Sequence, residues 1–150
     1  MKLKVGDKAP EFLHKLAGIE SKEMKNKKTI LYFYPKDNTP GCTAEACSLR
    51  DNYELLKSKG FEVVGVSPDS DKSHQNFTEK YTLPFKLIAD TEKEILEAYD
   101  AWGEKKMYGK SYMGVLRKTF IISEKGIIEK IIDKVDTKEH AQQILKEMGL

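Results

Sequence analysis

The stretch Thr29-Ile30-Leu31-Tyr32-Phe33-Tyr34-Pro35-Lys36-Asp37-Asn38-Thr39-Pro40-Gly41-Cys42 carries the reading of the fold. Thr29 to Tyr34 is continuously β-forming, as in a central strand buried on both faces, and Pro35 ends it because its nitrogen has no hydrogen to give a ladder. Lys36 to Gly41 is rich in turn residues. From Cys42 the spacing becomes helical: Cys42, Ala46, Leu49, Tyr53 and Leu56 recur at steps of four and three and form one apolar stripe that stops at Gly60. Cys42 therefore falls in or near the first turn of a helix.

Downstream, Glu62 to Ser67 reads as a second buried strand, with Asp71 as the cap of a helix reaching Tyr81. Phe85 to Ala89 reads as a short strand, and Thr91 with Glu94 forms a capping-box pattern opening a helix through Tyr99. Glycines and charged clusters break any period between Ala101 and Leu116, which reads as a loop. Lys118 to Ser123 and Ile127 to Asp133 flank the turn residues Glu124, Lys125 and Gly126, so an antiparallel hairpin is expected. A last helix is expected from Thr137, capped by Asp136, with Ala141, Ile144, Leu145 and Met148 as its stripe. Strand and helix twice over, then a hairpin and a final helix, is the order of an α/β protein with the thioredoxin-like fold: a central mixed β-sheet flanked by helices, with an added strand and helix.

At 150 residues, with 39% hydrophobic and 33% charged side chains, the chain has the size and composition of one globular domain spanning residues 1–150. Its 26 basic and 24 acidic residues are spread along the whole length to a net +2, which argues against a nucleic-acid partner. No window is apolar enough for a membrane helix, and Met1 to Pro10 lacks a secretory apolar stretch, so a cytoplasmic location without membrane attachment is expected. Among the basic residues only Arg50 and Arg117 are arginines, and in a chain that otherwise chooses lysine these mark places for a rigid guanidinium fork.

The only cysteines, Cys42 and Cys47, stand five positions apart. With no sign of secretion, a transient or catalytic disulfide is the natural functional reading; the alternative is two small hydrophobes in a helix. Zinc fits poorly, because His14, His74 and His140 are scattered with no partner at ligand spacing, and no metal or cofactor is expected. Unpaired N–H groups and the positive dipole end at a helix start favour an anion, and a thiolate at Cys42 is such an anion. In a regular helix, Cα atoms five apart lie about 8.6 Å from each other. A disulfide spans less than about 7 Å. Joining these two cysteines therefore requires the first turn to unwind.

The string Pro35-Lys-Asp-Asn-Thr39-Pro-Gly-Cys42 resembles the peroxiredoxin active-site pattern of Pro, three residues, Thr, two residues, Cys. Its extension through Cys47 is similar to the bacterioferritin-comigratory, or Q-type, branch, whose resolving cysteine lies five residues after the peroxidatic one. The resemblance runs from Gly6-Asp-Lys-Ala-Pro-Glu-Phe12 to Tyr108-Gly-Lys-Ser-Tyr-Met-Gly114 and Arg117-Lys-Thr-Phe120, and so covers nearly the whole chain. It implies a peroxidase that reduces hydrogen peroxide and organic hydroperoxides, with thioredoxin or a similar dithiol as electron donor, in a chain that is a monomer.

The resemblance also implies roles. Cys42 is the peroxidatic nucleophile and Cys47 the resolving thiol that closes an intramolecular disulfide. Thr39 contacts thiolate and peroxide, Pro35 shields the site, and Arg117 stabilises the developing charge. Glu45 orients Arg117, with an exposed helix carboxylate as the bland alternative. Arg50 reads as solvated, and Tyr99, Trp102, Tyr108 and Tyr112 as packing residues. Two rivals remain at this point: a thiol-disulfide oxidoreductase, which would use a closer Cys-x-x-Cys spacing absent here, and a non-enzymatic module with an inert thiol.

Overall fold

The computed structural model describes residues 3–12 and 27–150. His14 lies outside the described residues. A five-stranded mixed sheet with the order β3-β2-β1-β6-β7 forms the centre. Here β1 is Lys28–Phe33, β2 Phe61–Ser67, β3 Lys86–Ala89, β6 Lys118–Ile122 and β7 Ile128–Ile132. β1 runs parallel to β2, and β2 to β3, while β1 pairs antiparallel with β6 and β6 with β7.

β1 is buried on both faces, as its unbroken apolar run predicts. Ile30, Tyr32 and Tyr34 join a core containing Cys42, Ala46 and Leu49 of helix α1 (Pro40–Asp51) and Ala141 and Ile144 of helix α5 (His140–Glu147). Leu31 and Phe33 join a second core with Ile95 and Leu96 of helix α4 (Glu94–Ala98). Placing α1 and α5 on one face sets the first turn of α1 at the ends of β1 and β6.

Several boundaries differ from the sequence expectation. The stripe from Cys42 to Leu56 is carried by two helices, α1 and α2 (Tyr53–Ser58), because Asn52 breaks the run and its side-chain amide donates to the Ser48 carbonyl at 2.8 Å. Helix α3 (Asp71–Tyr81) is capped by Ser70, whose hydroxyl accepts from Ser73 N–H at 3.1 Å, rather than by Asp71. α4 begins at Glu94 after Lys93 in the left-handed region, with no capping box at Thr91; Asp90 instead accepts the Leu96 N–H at 2.7 Å. α5 starts at His140, three residues later than Thr137, although Asp136 does accept the Glu139 N–H at 3.1 Å.

The largest difference is the expected loop from Ala101 to Leu116, which forms an antiparallel hairpin of β4 (Trp102–Met107) and β5 (Lys110–Val115). Tyr108 and Gly109 turn it with positive φ values of 53° and 76°, the geometry of a tight two-residue hairpin turn. Glu104, Lys106, Ser111, Tyr112 and Met113 are all exposed, so outside the Trp102 and Val115 end the described side chains of the hairpin leave no apolar alternation to read. Tyr108 is 97% and Tyr112 43% exposed, and neither is the packing residue expected, whereas Tyr99 is buried and Trp102 packs against the second core. No described helix is long and apolar enough to cross a membrane.

Candidate active site

The site forms where the chain leaves β1 and enters α1. Thr39 is the N-cap residue with extended backbone angles of −96° and 155°, and Pro40 follows in the first turn, where its missing N–H costs nothing. The Thr39 carbonyl accepts the first intrahelical bond from Thr43 N–H at 2.8 Å. Its hydroxyl does not cap the helix but donates to the Lys36 carbonyl at 2.9 Å, closing the turn between Pro35 and the helix. Pro35 is half-buried.

Cys42 sits in the first turn of α1 at 1% exposure. Arg117, between β5 and β6, donates from Nη2 to Cys42 Sγ at 3.3 Å and from Nη1 to Glu45 Oε1 at 2.8 Å. Gly41 lies under this fork, where a Cβ would stand 3.4 Å from Arg117 Nη2. Glu45 is one helical turn beyond Cys42, so both face the same guanidinium. It is wholly buried, and the exposed-carboxylate alternative does not hold. Burial pushes Glu45 up to about 7, against the pull of Arg117. Burial works against the charge on Arg117, but Cys42 and Glu45 outweigh it and raise its proton affinity further. The result is a sulfur held beside a permanent positive charge whose second arm is anchored.

The two cysteines are free thiols on one helix, Cys42 buried and Cys47 half-buried. Arg50, the other arginine, donates to the Tyr81 carbonyl at 2.7 Å and to Asp51 at 3.0 Å and plays no part in the Cys42 contacts.

The sequence reading missed the support beneath the turn. Asp37 is buried and accepts from Tyr34 Oη at 2.6 Å and from Ser73 Oγ at 2.8 Å, with His74 Nδ1 at 2.7 Å, while its own N–H donates to Asp69 at 2.8 Å. Burial alone would raise the Asp37 carboxyl, but these bonds, led by His74, hold it below the usual range. His74 thus has acidic neighbours that its sequence spacing hides. Asp37, Asp69 and His74 have ligand atoms within 4.8 Å of one another. His74 Nε2 also faces the Ile88 carbonyl at 3.0 Å, and Asp69 accepts from Ser67 Oγ at 2.7 Å, so internal bonds occupy the group. It ties the turn to α3 and β2.

The chain is similar to known proteins along nearly its whole length. Residues 5–131 match the AhpC/TSA family. Peroxiredoxin Bcp of Bacillus subtilis is 44% identical over 157 residues, covering 99% of each chain. Peroxiredoxin Bcp of Escherichia coli is 40% identical over 146 residues, covering 95% of this chain and 94% of that one. Among solved structures, Xanthomonas campestris Peroxiredoxin Q superposes with a TM-score of 0.79 at 36% identity, over 86% of this chain and 82% of the other. A cysteine-to-serine mutant of Xylella fastidiosa PrxQ superposes with a TM-score of 0.84 at 30% identity, over 99% and 97%. The thioredoxin-like fold expected from the element order is the fold these structures share. The chain belongs to the AhpC/TSA family, as a peroxiredoxin of the Bcp and Q type, and is a thiol-dependent peroxidase.

Proposed function

We propose that the peroxidase reaction of this chain runs through Cys42 and Cys47. The Cys42 thiolate attacks one peroxide oxygen; the S–O bond forms as the O–O bond breaks, leaving a sulfenic acid, and the departing oxygen takes a proton to become water or an alcohol. Cys47 then attacks the sulfenic sulfur, releasing water and closing the Cys42–Cys47 disulfide. An external dithiol, thioredoxin or a similar protein, supplies two electrons and restores both thiols.

The single observation that carries this reading is the 3.3 Å contact from Arg117 to Cys42 Sγ, with Arg117 braced by Glu45. A guanidinium stays protonated throughout, so it stabilises the thiolate and then the charge that grows on the peroxide oxygens. Thr39, whose hydroxyl hydrogen is committed to Lys36, has oxygen lone pairs free to accept a hydrogen from a bound peroxide. Pro35 covers the turn from water. A monomer in the cytoplasm, without cofactor or metal, fits the balanced surface charge and the dithiol chemistry.

Intact mass analysis after one equivalent of peroxide tests the assignment. The native chain is expected to lose two hydrogens, Cys47→Ser to gain one oxygen or crosslink through Cys42, and Cys42→Ser to remain unchanged. Oxidation of Cys42→Ser at the native rate would overturn it. Insulin reduction exceeding peroxide consumption would favour a disulfide oxidoreductase.

A further inference from the structure

The far side of Glu45 is built from side chains that the steps above do not use. Oε1 accepts from Arg117, but Oε2 is fully buried and receives no hydrogen bond. The atom facing it is Nε2 of His140, 3.4 Å away, and both side chains are at 0% exposure.

The ring's hydrogen is placed from behind. Gln143 donates from Nε2 to the Lys134 carbonyl at 2.8 Å and accepts the Asp136 N–H on Oε1 at 2.9 Å, which fixes the orientation of its amide. That same Oε1 lies 2.9 Å from His140 Nδ1, so Nδ1 carries the ring hydrogen. In the neutral ring Nε2 is then a lone pair, which accepts the Thr119 hydroxyl hydrogen at 2.7 Å and leaves none for Glu45 Oε2. With Glu45 as a carboxylate, Oε2 would be a buried anionic oxygen with no donor, set against the acceptor side of the ring and closed off from solvent, an arrangement low dielectric makes costly. One added proton removes the conflict wherever it rests: on Oε2 it neutralises the carboxyl, and on Nε2 it makes the ring a donor with Thr119 Oγ1 and Glu45 Oε2 both beside it.

We propose that Glu45 and His140 hold one proton between them, and that His140 is a positioning residue which, by keeping that proton, leaves the charge of Arg117 undivided for the Cys42 sulfur. This rests on the role given to Cys42 and Arg117 above. A neutral Glu45 still accepts the Arg117 hydrogen on Oε1 and keeps the fork aimed, while an ionised Glu45 would offset the guanidinium charge. Burial pushes Glu45 up to about 7 and His140 down to about 4, which puts the shared proton on the carboxyl side at mildly acidic pH. The other titratable groups facing the pair are Arg117 ahead of β6, Cys42 on α1, Tyr32 on β1 and Asp136 ahead of α5. Tyr32 is buried and its phenol lies well above its ordinary value, so it stays neutral and does not compete for the proton.

The test measures iodoacetamide alkylation of Cys42 against pH in a Cys47→Ser background. His140→Gln replaces the lone pair by an amide N–H that stabilises the Glu45 carboxylate, and is expected to slow alkylation several-fold at mildly acidic to neutral pH. In a Glu45→Gln background the same substitution is expected to leave the pH profile in place, because no carboxyl remains to titrate. Equal slowing in both backgrounds, or none in either, would overturn the proposal. Nitrogen-15 NMR of the native chain needs no variant to fold: the His140 Nδ1 should keep its hydrogen while the Nε2 resonance moves as Glu45 titrates, and a hydrogen on Nε2 alone throughout would also overturn it. Alkylation requires no peroxide, so coupling of Glu45 to His140 in a chain whose Cys42 resists peroxide would sink the role of Cys42 and not the shared proton.

Discussion

Cys42 and Cys47 occupy one helix, α1, five positions apart, with both thiols free. Regular helix holds such Cα atoms about 8.6 Å apart, beyond the roughly 7 Å a disulfide spans. The opening turn is the part that can yield: it has an extended N-cap at Thr39, no side-chain cap bond, and a proline that contributes no hydrogen bond. The end of α1 is pinned by Leu49 in the core and by Ser48, whose hydroxyl accepts the Ala141 N–H at 3.1 Å. The disulfide form is therefore expected to lose helical circular dichroism and amide-exchange protection over residues 40–47, while 48–51 stay protected. Identical exchange in the dithiol and disulfide forms would contradict this.

The parts of this arrangement that sequence could reveal are those set by local spacing. The apolar run at Thr29 to Tyr34, the turn before Cys42 and the stripe on α1 all follow from periodicity, and the sparing use of arginine pointed to Arg117. What stayed hidden depends on partners far along the chain. The resemblance implied that Glu45 orients Arg117, but its helical position is one most carboxylates would expose, and its complete burial beside a partner 72 positions away was hidden. His140 reads as one of three scattered histidines until β6 brings Thr119 beside it, and Asp37 reads as a turn residue until α3 delivers His74. The β4–β5 hairpin was invisible for the opposite reason: with so many of its described side chains exposed, only the Tyr108-Gly109 turn could have announced it.

Arg117→Lys keeps the charge but loses the planar fork, so one ammonium cannot bond Cys42 Sγ and Glu45 Oε1 in the same geometry. The second-order rate constant for Cys42 oxidation by hydrogen peroxide is expected to fall about 100-fold, the scale for removing one charge-stabilising donor. Intact mass should show the same final product, reached slowly. A rate constant within a factor of about two of the native chain in competition kinetics would count against the fork.

Gly65 lies in β2 under Tyr32, where an added Cβ would stand 2.7 Å from Leu87 Cδ2 and 2.8 Å from Tyr32 Cζ. Tyr32 is wholly buried at the base of the site, so it has little room to move. Gly65→Ala is expected to destabilise the chain by about 1–3 kcal/mol, read as a lower urea midpoint with an unchanged slope. A midpoint equal to or above the native one would show that Tyr32 and Leu87 yield freely.

The Glu45 and His140 pair makes a prediction for stability as well as for reactivity. Glu45 rises from 4.5 to about 7 in the folded chain, so its contribution is intact below 4.5 and is lost as pH rises through about 7. His140 falls from 6.5 to about 4, so its contribution is intact above 6.5 and is lost as pH falls through about 4. Over the shared window, folding moves a proton from imidazole to carboxyl with little net uptake, and the two slopes cancel. His140→Leu, which removes the ring without supplying a donor, leaves the Glu45 slope uncovered: relative to the native chain, its stability should decline with rising pH by up to ~1.4 kcal/mol per unit, the limit for one proton. Glu45→Gln uncovers the other slope, and its relative stability should decline as pH falls. Urea unfolding of the three chains across the window reads both slopes as differences, so groups common to all of them drop out. Parallel stability curves would mean that the two residues do not exchange a proton on folding.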